Sequence, residues 1–265
     1  MSTWSAQSFN PPILCMSCPA SLLPPLPRTK PGVFFAPVSG EGVLLDLAAN
    51  RYVGLTALSA KLWPALSGGA AYEDLVKIAA PHAAGMPPEE LVQQQLENWT
   101  KADLLVQDGK YAADELPVPH LLSSSASQAI LSSDVARARL SVFRVARQTW
   151  NSIWVARSLR RVGLSPTIRS IQQIQACDAN GRSAMMKEIL RAYWAVRKLF
   201  AQGNPDCLRR SLALLRTLRQ AGTDATICIG VRKCPFAAHA WVEADNLLLN
   251  DKLENVGQYF VISRF

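Results

Sequence analysis

The sequence predicts an α+β chain built from two modules, on three observations. Short runs rich in branched and aromatic residues cluster between residues 32 and 56, and helical periodicity follows them to about residue 103. A Ser-rich stretch, SSSASQ at 123–128, then interrupts the pattern. Beyond it the order is reversed: long helical segments come first, and strand-like runs close the chain. A length of 265 residues is comfortable for two domains, and 49% hydrophobic residues are enough for two cores.

The first 31 residues carry seven prolines, from Pro11 to Pro31, and are expected to form a disordered or extended tail. The N-terminus has no basic start followed by an apolar core, so no secretory signal is expected. No apolar run approaches the roughly 20 residues that a bilayer span requires. Six cysteines without an export signal suit a reducing compartment, and a cytoplasmic location follows as the expectation, with no membrane partner. Cys15 and Cys18 have CxxC spacing but neither a second pair nor a histidine nearby, so they read as incidental thiols. Neither a metal nor a cofactor is expected.

Residues 32–38 (GVFFAPV), 43–48 (VLLDLA) and 51–56 (RYVGLT) are joined by Ser39-Gly40-Glu41-Gly42 and Ala49-Asn50, the punctuation of a small antiparallel meander. Pro37 suits an edge strand. Thr56 or Ser59 can cap a helix that carries Leu58, Leu62, Trp63 and Leu66 and stops at Gly68-Gly69. A short helix over 71–80 follows, and Pro87-Pro88-Glu89-Glu90 opens a third with Leu91, Leu96 and Trp99 near one face. A hairpin around Asp108-Gly109 would complete a winged-helix-like unit.

Within that unit VLLDLAANRYVGLTALSAKLWPAL resembles the PqqD-like family, the leader-peptide recognition element of ribosomal peptide maturation. The phrase is carried by Leu45-Asp46, Arg51-Tyr52, Leu55-Thr56 and Trp63, with Thr56 where Asn is usual. The resemblance spans residues 32–115. It implies a module that binds an unstructured leader as an added strand along the third strand and against the third helix. An edge strand offers the unpaired backbone groups this needs. The groove is expected around Tyr52, Val53 and Gly54, with Leu91 and Gln95 opposite; ordinary core packing competes with that role for Tyr52 and Leu91.

Residues 116–133 are expected to be a linker and 134–265 a second domain. Its first helical pattern, about 134–162, places Leu140, Phe143, Trp150 and Trp154 on one stripe, expected to be helix-on-helix core. The second, about 181–202, does the same with Met186, Ile189, Tyr193, Val196 and Phe200. Asn204-Pro205-Asp206 then has the form of a helix start: Asn as cap, Pro at the first position and Asp in the first turn. Cys207 falls in that first turn, where unpaired N–H groups and the positive end of the dipole favour thiolate. The helix ends at Gly222.

TICIGV (226–231) and AHAWVEA (238–244) read as strands, with His239, Trp241 and Glu243 alternating on one face. NLLLND gives a third strand ending at Asp251. An antiparallel ribbon can bring His239 over the helix start while Asp251 holds the other ring nitrogen, the three parts of a cysteine-nucleophile hydrolase. Asp245 lies at the hairpin tip, Cys228 reads as core and Cys234 as a turn residue. Gln202 and Asn204 are candidate oxyanion donors that the residues alone do not separate.

CLRRSLALLRTLRQAG, IGVRKCPFAAHAWVE and an Asp twelve residues after the His resemble the transglutaminase-like cysteine peptidase of lasso peptide biosynthesis, the B protein. Residues 203–262 carry nearly all of this match. It implies a papain- or transglutaminase-like core with Cys207, His239 and Asp251 as the catalytic triad. It also implies a precursor peptide as substrate, bound through its leader, and an ATP-dependent, asparagine-synthetase-like lasso cyclase as partner. A leader-binding module ahead of this core is itself a B-protein arrangement. The expected activity is hydrolysis of the leader–core peptide bond. One rival is acyl transfer to an amine by the same triad. Another is a non-enzymatic winged-helix nucleic-acid binder, suggested by the net charge of +8 and a pI near 9.4. Residues 1–119, however, hold seven Lys/Arg against eleven Asp/Glu, whereas 120–220 hold seventeen against four. The winged unit is thus the acidic part of the chain, and no nucleic-acid partner is expected.

Overall fold

The computed structural model describes residues 26–106, 126–174, 182–199 and 206–265. Cys15, Cys18, the Asp108-Gly109 hairpin tip, His120, Phe200, Gln202 and Asn204 lie outside the described residues.

The chain is α+β, as expected. Its first strand, β1 (Arg28–Thr29), pairs antiparallel with β5 (Leu105–Val106), and the Lys30–Asp103 ion pair stands beside that pairing. Between them runs the meander β2 (Val33–Val38), β3 (Glu41–Asp46) and β4 (Arg51–Leu55), in spatial order β2-β3-β4. The β2–β3 turn places Ser39 and Gly40 at φ 49° and 80°, and the β3–β4 turn places Asn50 at φ 49°. Gly and Asn tolerate such angles, which is why these residues mark the joints.

Helix α1 (Ala57–Ser67) starts at Thr56, whose side chain accepts a hydrogen bond from Ser59 N–H. Helices α2 (Tyr72–Ala79) and α3 (Pro88–Lys101) follow, α3 with Pro at its first position. These helices cover one face of the meander, burying Leu44, Leu55, Leu62, Trp63, Leu75, Val92 and Trp99, with Trp63 and Trp99 edge-to-face at 5.0 Å.

Strand alternation sends Phe34, Ala36, Val38, Val43 and Leu45 to the opposite face, and they join the core of the second half. Phe34 meets Phe265 edge-to-face at 5.3 Å, and Lys233 pairs with Glu41. The meander is therefore covered on both sides.

The second half contains a mixed sheet of five strands in the order β10-β7-β8-β9-β6: β6 (Gln128–Ala129), β7 (Thr226–Arg232), β8 (Ala237–Ala244), β9 (Leu247–Leu248) and β10 (Phe260–Arg264). Among the described residues, only the β6–β9 contact of this sheet is parallel. Helices α4 (Val142–Arg161), α5 (Leu164–Gln172), α6 (Arg182–Leu199) and α7 (Cys207–Gln220) precede the main strands, and the short α8 (Leu253–Val256) lies between β9 and β10. Helix α7 packs against β8 and β7, burying Leu212, Leu214, Leu215 and Leu218.

Three expectations need correction. Helix α4 begins at Val142 rather than near 134, and α5 and β10 are additional elements. The Phe143–Trp150 stripe is not core: Phe143 is 73% exposed and Trp150 62%, Leu140 is exposed ahead of the helix, and Trp154 is half-buried. The buried face of α4 is instead Gln148, Asn151 and Val155. The reason is the neighbour it packs on. Helix α7 presents Thr217, Gln220 and Arg216 there, which hydrogen-bond Gln148 and Asn151, while Arg216 stacks over Trp154 at 4.1 Å. A polar seam satisfied in this way replaces the apolar one. On α6, Met186, Ile189, Tyr193 and Val196 are buried as expected.

Candidate active site

Helix α7 starts at Cys207, and its cap is Asp206, two residues later than the expected Asn204. Asp206 Oδ1 accepts from Arg209 N–H at 3.0 Å, and Oδ2 accepts from the Arg209 guanidinium at 3.0 Å. The cysteine is thus the first helical residue, at the end where the unpaired N–H groups concentrate.

Strand β8 carries His239, paired across from Gly230 of β7. Asp251 Oδ2 lies 2.5 Å from His239 Nε2, and the same ring acts on the Cys207 thiol, lowering its pKa. Both partners of the His–Asp pair are mostly shielded, at 16% and 18% side-chain exposure.

Asp251 is fixed in turn: its Oδ1 accepts from Lys252 N–H at 2.8 Å and from Asn255 Nδ2 at 3.0 Å. The preceding residue anchors the segment to the strand. Asn250 Oδ1 accepts from Val242 N–H, and Asn250 Nδ2 donates to Ser211 Oγ, which donates to Ala240 O. This buried chain ties α7, β8 and the Asp251 segment into one unit. The His239 ring is flanked by Trp241 at 6.0 Å and Tyr259 at 5.2 Å, and Trp241 Nε1 donates to Glu243 Oε1 at 2.7 Å.

The electrostatics follow from these contacts. Burial pushes the Cys207 thiol up, but hydrogen bonds from His239 and from Ala240 N–H, with the imidazolium charge, outweigh it and hold the thiol below its ordinary range. Burial likewise disfavours the charged imidazole, yet hydrogen bonds to Asp251 and Cys207 and their charges raise His239 to about 9. Asp251 is held below the usual carboxylate range: its bonds to His239, Asn255 and Lys252 N–H overcome burial. The three shifts run together, each ionised partner favouring the ionised form of its neighbour. Such a set can attack a carbonyl and protonate a leaving amine.

Other cysteines differ. Cys228 is fully buried and pushed up to about 12 by burial, and Cys234 is exposed in the β7–β8 turn. Asp245 sits at the β8–β9 turn with φ 48°.

Of the residues expected to line the leader groove, Val53 of β4 and Leu91 of α3 pack against the same helical core. Gly54 is exposed on β4, and Gln95 accepts from Ser59 Oγ at 2.7 Å. Tyr52 stands apart, because neighbouring strand residues point to opposite faces. It packs toward the second half, edge-to-face with Phe236 at 5.7 Å and within the field of Cys207.

Comparison with known proteins places this site in context. Residues 152–264 match the transglutaminase-like superfamily. These residues form a transglutaminase-like domain. The domain holds Cys207, His239 and Asp251, from within α4 to β10. The chain is 48% identical over 46 residues to the microcin J25-processing protein McjB of Escherichia coli, a stretch covering 17% of this chain and 22% of McjB. A solved structure, TbiB1 in complex with the TbiA(beta) leader peptide, is 26% identical and covers 32% of this chain and 98% of its own, with a TM-score of 0.27. The chain thus spans about a fifth of the length of the McjB protein that it matches.

The transglutaminase-like domain contains supporting groups that the sequence did not bring forward: Asn255, Tyr259, and the Ser211–Asn250 link. Asn255, four residues after Asp251 in DKLEN, was open to reading as a helical-spacing partner. Ser211 and Asn250 are 39 residues apart, and nothing local signals their contact.

Proposed function

We propose that the protein is a leader peptidase of lasso peptide maturation, hydrolysing the leader–core bond of a precursor peptide through Cys207, His239 and Asp251. The observation that carries this reading is the pairing of His239 with Asp251 at 2.5 Å beside a thiol at the start of a helix. Cys207 Sγ attacks the scissile carbonyl. His239 gives its proton to the departing amine of the core peptide, leaving a thioester on the leader side. The now neutral imidazole takes a proton from water, the resulting hydroxide attacks the thioester, and leader carboxylate and thiol are released. Asp251 holds the ring orientation and stabilises the imidazolium throughout. The N–H groups at the start of α7 are suited to receive the carbonyl oxygen as it becomes negative.

The N-terminal unit serves as a PqqD-like leader-recognition element. Among the described residues β4 pairs only with β3, which leaves its other edge to receive a peptide strand, and Val53, Gly54, Leu91 and Gln95 are the residues proposed to line the groove. McjB, to which the chain is similar, is named as a processing protein. The freed core peptide then passes to an ATP-dependent, asparagine-synthetase-like cyclase.

Incubation with a precursor peptide, followed by mass spectrometry, tests this. Two products split at the leader–core junction are expected, and none with Cys207→Ala. Cleavage by that variant at the wild-type rate overturns the mechanism, and a heavier product retaining the leader with a new cross-link assigns acyl transfer instead.

A further inference from the structure

The Tyr52–Phe236 pair does not fit a leader groove confined to β4 and α3. Tyr52 belongs to the strand whose edge is open, yet its ring crosses to the other module. Phe236 lies in the β7–β8 turn, three residues before His239, and is 54% exposed. Both Tyr52 and Cys207 pack against the same core, and Ala238 does so between Phe236 and the histidine. The nearby Lys233 pairs with Glu41, so the one cation of this turn in the interface is already matched. What remains is a contiguous aromatic surface at the junction of the modules, half exposed at Phe236 and close enough to Cys207 at Tyr52 for the thiolate charge to act on the phenol.

We infer that Tyr52 and Phe236 form a specificity subsite, which takes an uncharged apolar side chain within two residues of the scissile bond on the leader side. This rests on the leader-peptidase reading above. A peptide strand added along β4 passes Tyr52, so the same strand guides the substrate and selects near the point of cleavage. Burial pushes the Tyr52 phenol up to about 12, with the Cys207 charge adding to it, so this ring stays neutral when the thiolate forms. An apolar side chain laid against the two rings buries carbon surface, whereas a charged one gives up part of its hydration for aromatic carbon.

Covalent labelling of Cys207 provides the test, read by intact mass and peptide mapping. The probes are N-acetyl-dipeptidyl chloromethyl ketones carrying Leu, Ala or Asp at either residue and Gly at the other, with iodoacetamide as a probe that has no side chain to seat. For the wild-type protein, the Leu probe at one of the two positions should outpace the Asp probe by about tenfold or more. That ratio, normalised to iodoacetamide, should fall towards one in Phe236→Ala and in Tyr52→Ala. Phe236→Ala keeps the test valid if the Tyr52 variant does not fold, because its ring is half outside. Equal Leu and Asp rates in the wild type, or an unchanged ratio in a folded Phe236→Ala variant, overturn the subsite. If iodoacetamide labels Cys207 no faster than the exposed Cys234, the activated thiol itself is refuted, and the subsite falls with it.

Discussion

At the scale of single residues, the chemistry rests on how three charges share two protons. His239, raised to about 9, keeps its proton at neutral pH, and the same contact holds Cys207 below the ordinary thiol range. The expected kcat/KM profile is a plateau through neutral pH that falls as pH rises through about 9, where the proton for the leaving amine is lost. Asp251→Asn removes a contribution that raises His239, so the alkaline limb should move to lower pH, and kcat should drop by roughly 100-fold or more. An unchanged alkaline limb in that variant refutes the assignment. The same shift bears on stability. The His239 contribution is fully present below its ordinary value of 6.5 and is lost as pH rises through about 9. These residues were legible in the sequence because each sits at a place with a local signature: a helix start, an alternating strand, and the end of an apolar run. The cap was misplaced onto Asn204 because Asn and Asp compete for that role on nearly equal terms. The expected groove groups Tyr52 with Val53, whereas strand alternation gives the two residues opposite faces.

At the scale of elements, β8 carries His239, and its pairing with β7 depends on a missing side chain. A Cβ on Gly230 would come within 2.8 and 2.9 Å of the Trp241 ring and 2.9 Å of Tyr259 Cβ. Those two side chains flank His239. Gly230→Ala should therefore destabilise the protein by about 1–3 kcal/mol, read by thermal or denaturant unfolding, and lower kcat as well. Wild-type stability would mean that the rings can yield without cost. Helix α4 marks where element-level reading failed. Periodicity locates a helix well, but it assigns the buried face by hydrophobicity. Here Gln148 and Asn151 go inside because their partners are on α7, more than 60 residues away. The third strand was expected to run to Asp251 but β9 stops at Leu248, and the added β10 was obscured by the same dependence on non-local pairing.

At the scale of the molecule, the two-module division read from the sequence coexists with a joint core. Phe34, Ala36 and Val38 lie against the second half, and Phe265 closes on Phe34. Phe265→Ala should cost about 3–5 kcal/mol. Calorimetry should also show a single transition for both halves, in the wild type and in the variant. Two separate transitions, with only the later one shifted, would show that the halves unfold independently.

A meander buried on both faces also fixes distance. On the proposed leader-peptidase reading, the β4 edge that has no strand partner among the described residues and the Cys207 sulfur cannot move apart or together without breaking a packed core, so the protein has the character of a ruler. Where the chain is cut should then depend on how many residues separate the docked segment from the scissile bond. Extra residues inserted there can bulge out at a cost that grows slowly with length. Deletions meet a hard limit, because an extended chain gains at most about 3.3–3.6 Å per residue. A graded loss of cleavage with insertions and an abrupt loss with deletions is the expected pattern in a precursor length series. A symmetrical response would show that the edge and the thiol are not held at a set separation.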